Sequence, residues 1–209
     1  VATEQARATP EDDELAALVD AAFRVLAGHD AKALSVASVL AEAGLGTRAF
    51  YRHFRSKDEL LVTMFRWDAE YVVAQLTRAV GRADSHLAAL EVWVEQSLAL
   101  VFDPRKALRV RILMSAEVSR ARGYSVERAR VTSQLQAVLG TILAAGQADG
   151  TFPSTEPHQD ARALNAIIQD LLEQRSRGLP TLGHREARAH TLRFAHRALG
   201  VPPVELAAR

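Results

Sequence analysis

Apolar residues recur along this chain at intervals of three and four, and nearly every run is bracketed by a helix cap and a helix stop. Thr9-Pro10 reads as an N-cap followed by proline at the first helical position. Leu15, Leu18, Val19, Ala22 and Leu26 then keep a helical period as far as Gly28. Ser35 can cap a second helix ending near Gly44, and Thr47 to Phe54 predicts a short third one. Ser56 and Glu59 form a capping-box pattern that opens a fourth, running through Leu61, Met64 and Val72 to Gly81. Further starts fall at Asp84 or Ser85, at Asp103-Pro104, at Ser125, at Glu156-Pro157 and near His184. The matching stops are Phe102, Gly123, Gly150, Gly178 and Gly200, with Pro202-Pro203 barring continuation. Strand alternation and Asn-Gly hairpin signals are missing. The expectation is an all-α chain of about nine helices.

Composition narrows this picture. The 209 residues hold 48% hydrophobic residues, enough for a continuous core. A formal net charge of +1 rules out a whole-molecule basic field for nucleic acid, so any such surface must be local. With no cysteine there is neither a disulfide nor a thiolate metal site, which fits a cytoplasmic setting. No apolar run approaches a membrane span, so no membrane partner is expected. Residues 1–9 lack the apolar stretch of a signal peptide and read as a disordered arm.

A local basic surface does occur, from Ser35 to Phe54. Two short helices flank a turn with Gly44 and Gly46, the helix-turn-helix arrangement. Val39, Leu40, Leu45, Phe50 and Phe54 can form its small core. Thr47, Arg48, Arg52 and His53 face outward with Tyr51 at the edge, and no acidic residue occurs from Leu45 through Lys57. Arg48 lies in the first turn of the second helix, where a guanidinium fork can read guanine O6 and N7. Thr47 can meet a base or a thymine methyl. Tyr51 and His53 suit phosphate, as do Lys57 and Ser35 at helix starts, where free amides attract anions.

The run from Ala43 to Leu61, AGLGTRAFYRHFRSKDELL, resembles the N-terminal signature of the TetR family of bacterial transcriptional regulators, close to A-G-V-S-x-G-T-L-Y-x-H-F-x-S-K-x-x-L-L. It differs at Gly46, where the family usually has Ser, and at Arg48, where it often has Gly. The resemblance implies a homodimer, an N-terminal DNA-binding part and a C-terminal part for a small effector. It also implies phosphate contacts by Tyr51, His53 and Lys57. On this reading residues 10–56 form the helix-turn-helix head and residues 57–209 the ligand-binding and dimerisation bundle. The protein would be a repressor released from a palindromic operator on double-stranded DNA by an effector of unknown identity. The alternative is a helical ligand-binding or interaction protein whose helix-turn-helix reads no specific operator.

Two stripes in the C-terminal part suit a dimer interface: Leu164, Ile168, Leu171 and Leu172 on one helix, and Leu192, Ala195 and Leu199 on the last. Stripes alone allow either a two-fold four-helix bundle or the chain's own core, and the resemblance favours the bundle. For a ligand cavity the candidates are Trp67, Tyr71, Trp93, Arg111, Met114 and Glu117, with Arg111 gripping an anionic end. That choice assumes one continuous helix, on which Arg111 and Glu117 share apolar stripes. Enzyme motifs are missing, so no catalytic residue and no cofactor is expected. His184, His190 and His196 do not make a metal set, because six-residue steps rotate each by about 240° on a helix.

Overall fold

The computed structural model describes residues 10–28 and 34–201, and the expected arm at 1–9 lies outside them. Among the described residues every regular element is helical: α1 (Pro10–Ala27), α2 (Val36–Ala43), α3 (Thr47–His53), α4 (Lys57–Val80), α5 (His86–Phe102), α6 (Pro104–Leu113), α7 (Ala116–Ser119), α8 (Tyr124–Ala148), α9 (Pro157–Ser176) and α10 (His184–Leu199). None of these helices is long and apolar enough to cross a membrane.

The described residues hold ten helices, close to the nine or so expected, and the extra one arises because the expected helix from Pro104 to Gly123 is broken. Ser115 takes an extended backbone (φ −60°, ψ 157°), and its hydroxyl accepts the Val118 N–H. That is a side-chain cap for a new short helix, α7, in place of one more turn of α6. Gly123 then turns at φ 97°, a left-handed value that favours glycine, and α8 begins at Tyr124.

The chain forms two compact units. The first comprises residues up to Asp68 with Arg111–Arg128, and the second Ala69–Val110 with Ala129 onward. The first unit is thus larger than a head ending at Ser56. The physical reason is apolar: Leu60, Leu61 and Met64 of α4, with Ile112, Leu113, Val118 and Tyr124, share one core with Leu18, Phe23, Val39, Phe50 and Phe54. Tyr124 packs edge-on against Phe65, ring centroids 4.9 Å apart. Asp58 adds a polar tie by accepting the Arg122 N–H at 3.1 Å.

In the second unit α5 packs against α9 and α10. It is buried along Ala89, Leu90, Trp93, Val94, Ser97, Leu98 and Val101, so nearly half its circumference is core. Arg188 of α10 bridges Glu91 and Glu95 of α5 at 3.0 and 3.2 Å, and His184 reaches Glu95 at 3.1 Å. Phe152 is fully buried on Gly146, where a β-carbon would stand 2.2 Å from its ring. No group of His, Asp and Glu among the described residues could hold a metal ion.

Candidate nucleic-acid interface

The recognition segment is built from its own local rules. Ser35 caps α2: its hydroxyl accepts the Ser38 N–H at 3.0 Å, and the Ser38 hydroxyl accepts the Ser35 N–H at 3.0 Å. This reciprocal pair fixes the helix start. Gly44 ends α2 in the left-handed region at φ 68°, which a side chain disfavours. Its N–H and that of Leu45 both reach the Leu40 carbonyl, and the chain is redirected within two residues. Gly46 then starts α3 without a side-chain cap.

Phe50 and Phe54 lock α3 from beneath. Both are buried, their centroids lie 5.5 Å apart, and Val39 is buried beside them, while Leu40 and Leu45 are partly buried against the same core. The opposite face of α3 presents Thr47, Arg48 and Tyr51 to solvent, Tyr51 at 61% exposure. Arg48 makes no ion pair among the described residues.

Three other members of the expected basic set are engaged. Glu14 of α1 accepts a hydrogen bond from Arg52 at 2.9 Å and lies 3.3 Å from His53 Nε2. Lys57 donates to Glu117 at 2.5 Å, with both side chains about one-third exposed. The absence of acids between Leu45 and Lys57 is therefore compensated by acids from elsewhere in the chain. Nothing in the local sequence marks Glu14 or Glu117 for this, because both partners are distant along the chain. The capping box at α4 is also displaced by one residue. Ser56 Oγ accepts the Glu59 N–H, but the Glu59 carboxylate accepts from the Arg55 N–H at 2.7 Å rather than from Ser56.

Residues 18–64, which hold α2, α3 and the adjoining parts of α1 and α4, match the family model described as bacterial regulatory proteins, tetR family. Over those residues the chain is similar to the DNA-binding part of TetR-family regulators. An uncharacterized HTH-type transcriptional regulator of Haemophilus influenzae is 32% identical over 117 residues, 55% of this chain and 57% of that protein. The alignment thus spans little more than half of that curated relative. Solved TetR-like folds extend further. A TetR-family regulator of Mesorhizobium loti superimposes with a TM-score of 0.74 at 15% identity, covering 92% of this chain and 98% of that one. The fatty acid degradation regulator FadR of Bacillus halodurans gives 0.69 at 16%, covering 94% and 97%. FadR of Bacillus subtilis, solved with stearoyl-CoA, gives 0.71 at 13%, covering 88% and 98%. These likenesses show a TetR fold over most of the chain.

The stripes expected at a dimer interface are turned inward. Leu164, Ile168, Leu171, Leu172, Leu192, Ala195 and Leu199 are all buried within the single chain, none more than 8% exposed. Within the single chain they are covered where α9 and α10 pack with α5, so the chain's own core already accounts for their burial. The apolar residues that do reach solvent here are others: Leu179 and Leu182 in the loop between the two helices and Phe194 on α10, with Ile167 of α9 half-buried. A cavity of about 640 Å³ lies between α9 and α10, lined by Ile167, Leu171, Leu182 and His190 among others.

The expected ligand residues belong to both units. Trp67, Arg111, Met114 and Glu117 fall in the first unit, Tyr71 and Trp93 in the second. Trp93 is core, with an indole N–H that finds no acceptor. Tyr71 is 64% exposed, Arg111 is exposed, and Glu117 is bonded to Lys57. The break at Ser115 interrupts both expected stripes, that of Arg111 with Met114 and Val118 and that of Glu117 with Val110 and Leu113.

Proposed function

We propose that this chain is an effector-responsive transcriptional repressor that binds a palindromic operator as a homodimer. The observation that carries the reading is the two-sidedness of α3. Phe50 and Phe54 anchor it from within, while Thr47, Arg48 and Tyr51 stand free on the other face. A rigid helix with an unpaired guanidinium in its first turn is what base readout in a major groove requires. Arg48 reads a guanine edge, Thr47 a neighbouring base, and Tyr51 and the exposed Ser35 hold phosphate. Lys57, Arg52 and His53 reach phosphate by exchanging Glu117 and Glu14 for it. An operator-binding role places the protein in the bacterial cytoplasm.

Dimerisation uses the outward surface of α9, α10 and the loop between them, centred on Ile167, Phe194 and Leu182 rather than on the buried stripe. Two copies related by a two-fold axis would present two recognition helices to two half-sites. A small-molecule effector is supported by the TetR family and by the fold shared with a regulator solved with stearoyl-CoA. α4 contributes residues to both units, so it is the covalent route by which ligand binding in the second unit biases the first.

The test is selection of bound sequences from random duplexes, followed by salt titration of the selected site. An inverted repeat with half-sites one helical turn or a multiple apart is expected. Binding that is salt-dependent but indifferent to sequence would favour a helical protein with a helix-turn-helix that reads no operator.

A further inference from the structure

The second unit contains a cavity of about 770 Å³ among the last turns of α4, the first turns of α5 and the last three turns of α8. That is within the range of sites that enclose drug-sized ligands, about 300–1,000 Å³. Its wall is aliphatic: Val80, Ala89, Val138, Ile142 and Ala145. Two threonines join this wall without adding polarity. The Thr77 hydroxyl donates to the Val73 carbonyl at 2.9 Å and the Thr141 hydroxyl to the Ala137 carbonyl at 3.0 Å. Each has its only proton committed to its own helix, so the interior offers a ligand few free donors.

The charges at its edge have one sign. Asp84 and Asp149 line the cavity, and no lysine or arginine does. Two helices, α4 and α8, end there, and carbonyl-rich C-termini favour cations. The opposing features are weak. α5 begins at the rim, but the Ser85 hydroxyl already accepts its Ala88 N–H at 3.1 Å. His86 also lines the cavity, but its Nδ1 is 2.6 Å from Asp149 Oδ2, so a positive ring and this carboxylate answer each other and Asp84, with no ion pair among the described residues, is the charge left over at the rim. Asp149 is held down to about 2, first by the Thr151 hydroxyl, then by the Thr151 N–H and by His86, and stays anionic in ordinary buffers.

We propose that this cavity binds a cationic amphiphile, a ligand with an aliphatic or aromatic body and a single positively charged nitrogen. The body occupies the wall between α4, α5 and α8, and the nitrogen sits between Asp84 and the Asp149 rim. This cavity shares no residue with the set Trp67, Tyr71, Trp93, Arg111, Met114 and Glu117, and it selects the opposite ligand charge from that expected of Arg111. The regulatory consequence rests on the repressor reading above, whereas the site itself does not.

The experiment uses the full chain and three probes of equal chain length: decyltrimethylammonium below its micelle concentration, decanoate and decanol. Calorimetric titration without DNA is expected to show saturable binding of the ammonium, one per chain, with decanol weaker and decanoate weakest. Asp84→Asn should weaken the ammonium about fivefold, the loss of one close surface-screened charge pair, and leave decanol unchanged. Ala145→Trp should fill the wall and abolish binding of all three probes. Decanoate binding as tightly as the ammonium overturns the charge assignment. Full ammonium affinity in folded Ala145→Trp overturns the location, and Asp84→Asn, on the exposed rim, keeps the test intact if the tryptophan variant misfolds. A second titration adds operator DNA. Ammonium binding with unchanged operator affinity supports the site and overturns only its use as an effector site.

Discussion

α3 and the α9–α10 pair both combine apolar and polar positions, and they dispose of them in opposite ways. In α3, seven residues divide cleanly: Ala49 and Phe50 lie inward, Thr47, Arg48 and Tyr51 outward. Its partners are also close in sequence, with Val39, Phe54 and Leu61 all within a dozen residues of Phe50. In α9 and α10 the widest stripes are enclosed where the two helices pack with α5, which begins 71 residues before α9 and 98 before α10, and the apolar surface left over is a thinner line around Phe194 and the loop residue Leu182. A motif that contains its own core reveals its free face. A stripe whose partner is remote reveals only that something covers it.

The largest expected effect exploits that contrast. Ile168 is 2% exposed, so Ile168→Glu buries an unpaired carboxylate in the chain's own core. The loss should be about 3–5 kcal/mol, a large part of ordinary domain stability, seen as a collapse of the thermal transition. Phe194→Glu, at a position 39% exposed, should leave the thermal transition of the chain near its original position while weakening self-association in sedimentation. If Ile168→Glu gave a folded monomer and Phe194→Glu a normal dimer, the partner-facing surface would revert to the buried stripe.

Next in size is Arg48→Ala. Its guanidinium has no competing carboxylate among the described residues, so removal leaves nothing unpaired within the protein. Affinity for the selected operator should fall by about 1–3 kcal/mol while binding to random DNA changes little. An unchanged selected motif would remove Arg48 from base readout.

What could be read in advance follows the same division. The helix ends at Gly44, Gly81 and Gly200 were legible because caps and stops are local chemistry, as was the core of Val39, Phe50 and Phe54. The break at Ser115 was not, because serine inside an apolar run is compatible with continuing a helix, and only the Val118 N–H bond reveals its cap. The engagement of Lys57 and His53 was hidden for a different reason. Their carboxylate partners, Glu117 and Glu14, are 60 and 39 residues away, and a basic run shows its charge but not its counter-ions. The alignment of Arg111 and Glu117 with apolar neighbours depended on both, an unbroken helix and the absence of a distant partner for Glu117.

Glu117→Gln tests the hidden pairing with a smaller effect. Lys57 must leave Glu117 to contact a phosphate, and the amide of glutamine holds it less firmly. Both groups are partly exposed, so solvent limits the pair to about 0.2–1 kcal/mol, a gain of at most about fivefold in affinity. The gain should be equal for operator and random DNA, and it should vanish in the Lys57→Ala background. Unequal gains, or a gain without Lys57, would mean that Glu117 acts by repelling DNA directly.

The smallest effect lies at Gly46, where this chain departs from the serine usual at that point in TetR signatures. Gly46 has φ −90° and ψ 164°, an extended conformation open to any L-residue, and a β-carbon there would meet nothing within 4 Å. The backbone carbonyl already accepts the Ala49 N–H at 3.0 Å, but no side chain caps α3. A serine hydroxyl would reach the Arg48 or Ala49 N–H, and serine would also lower the entropy of the unfolded chain. Gly46→Ser should therefore stabilise the protein by a few tenths of a kcal/mol, about 1 °C in the thermal midpoint. Because α3 is only seven residues long, the added cap should also slow amide exchange at Arg48 and Ala49 relative to the middle of α5, which it cannot influence. Slower exchange confined to α3 would show that the recognition helix is held by its own short-range chemistry. A uniform change across α3 and α5, or a lower midpoint, would mean that Gly46 serves the turn through its flexibility and that the head is less self-contained than its core implies.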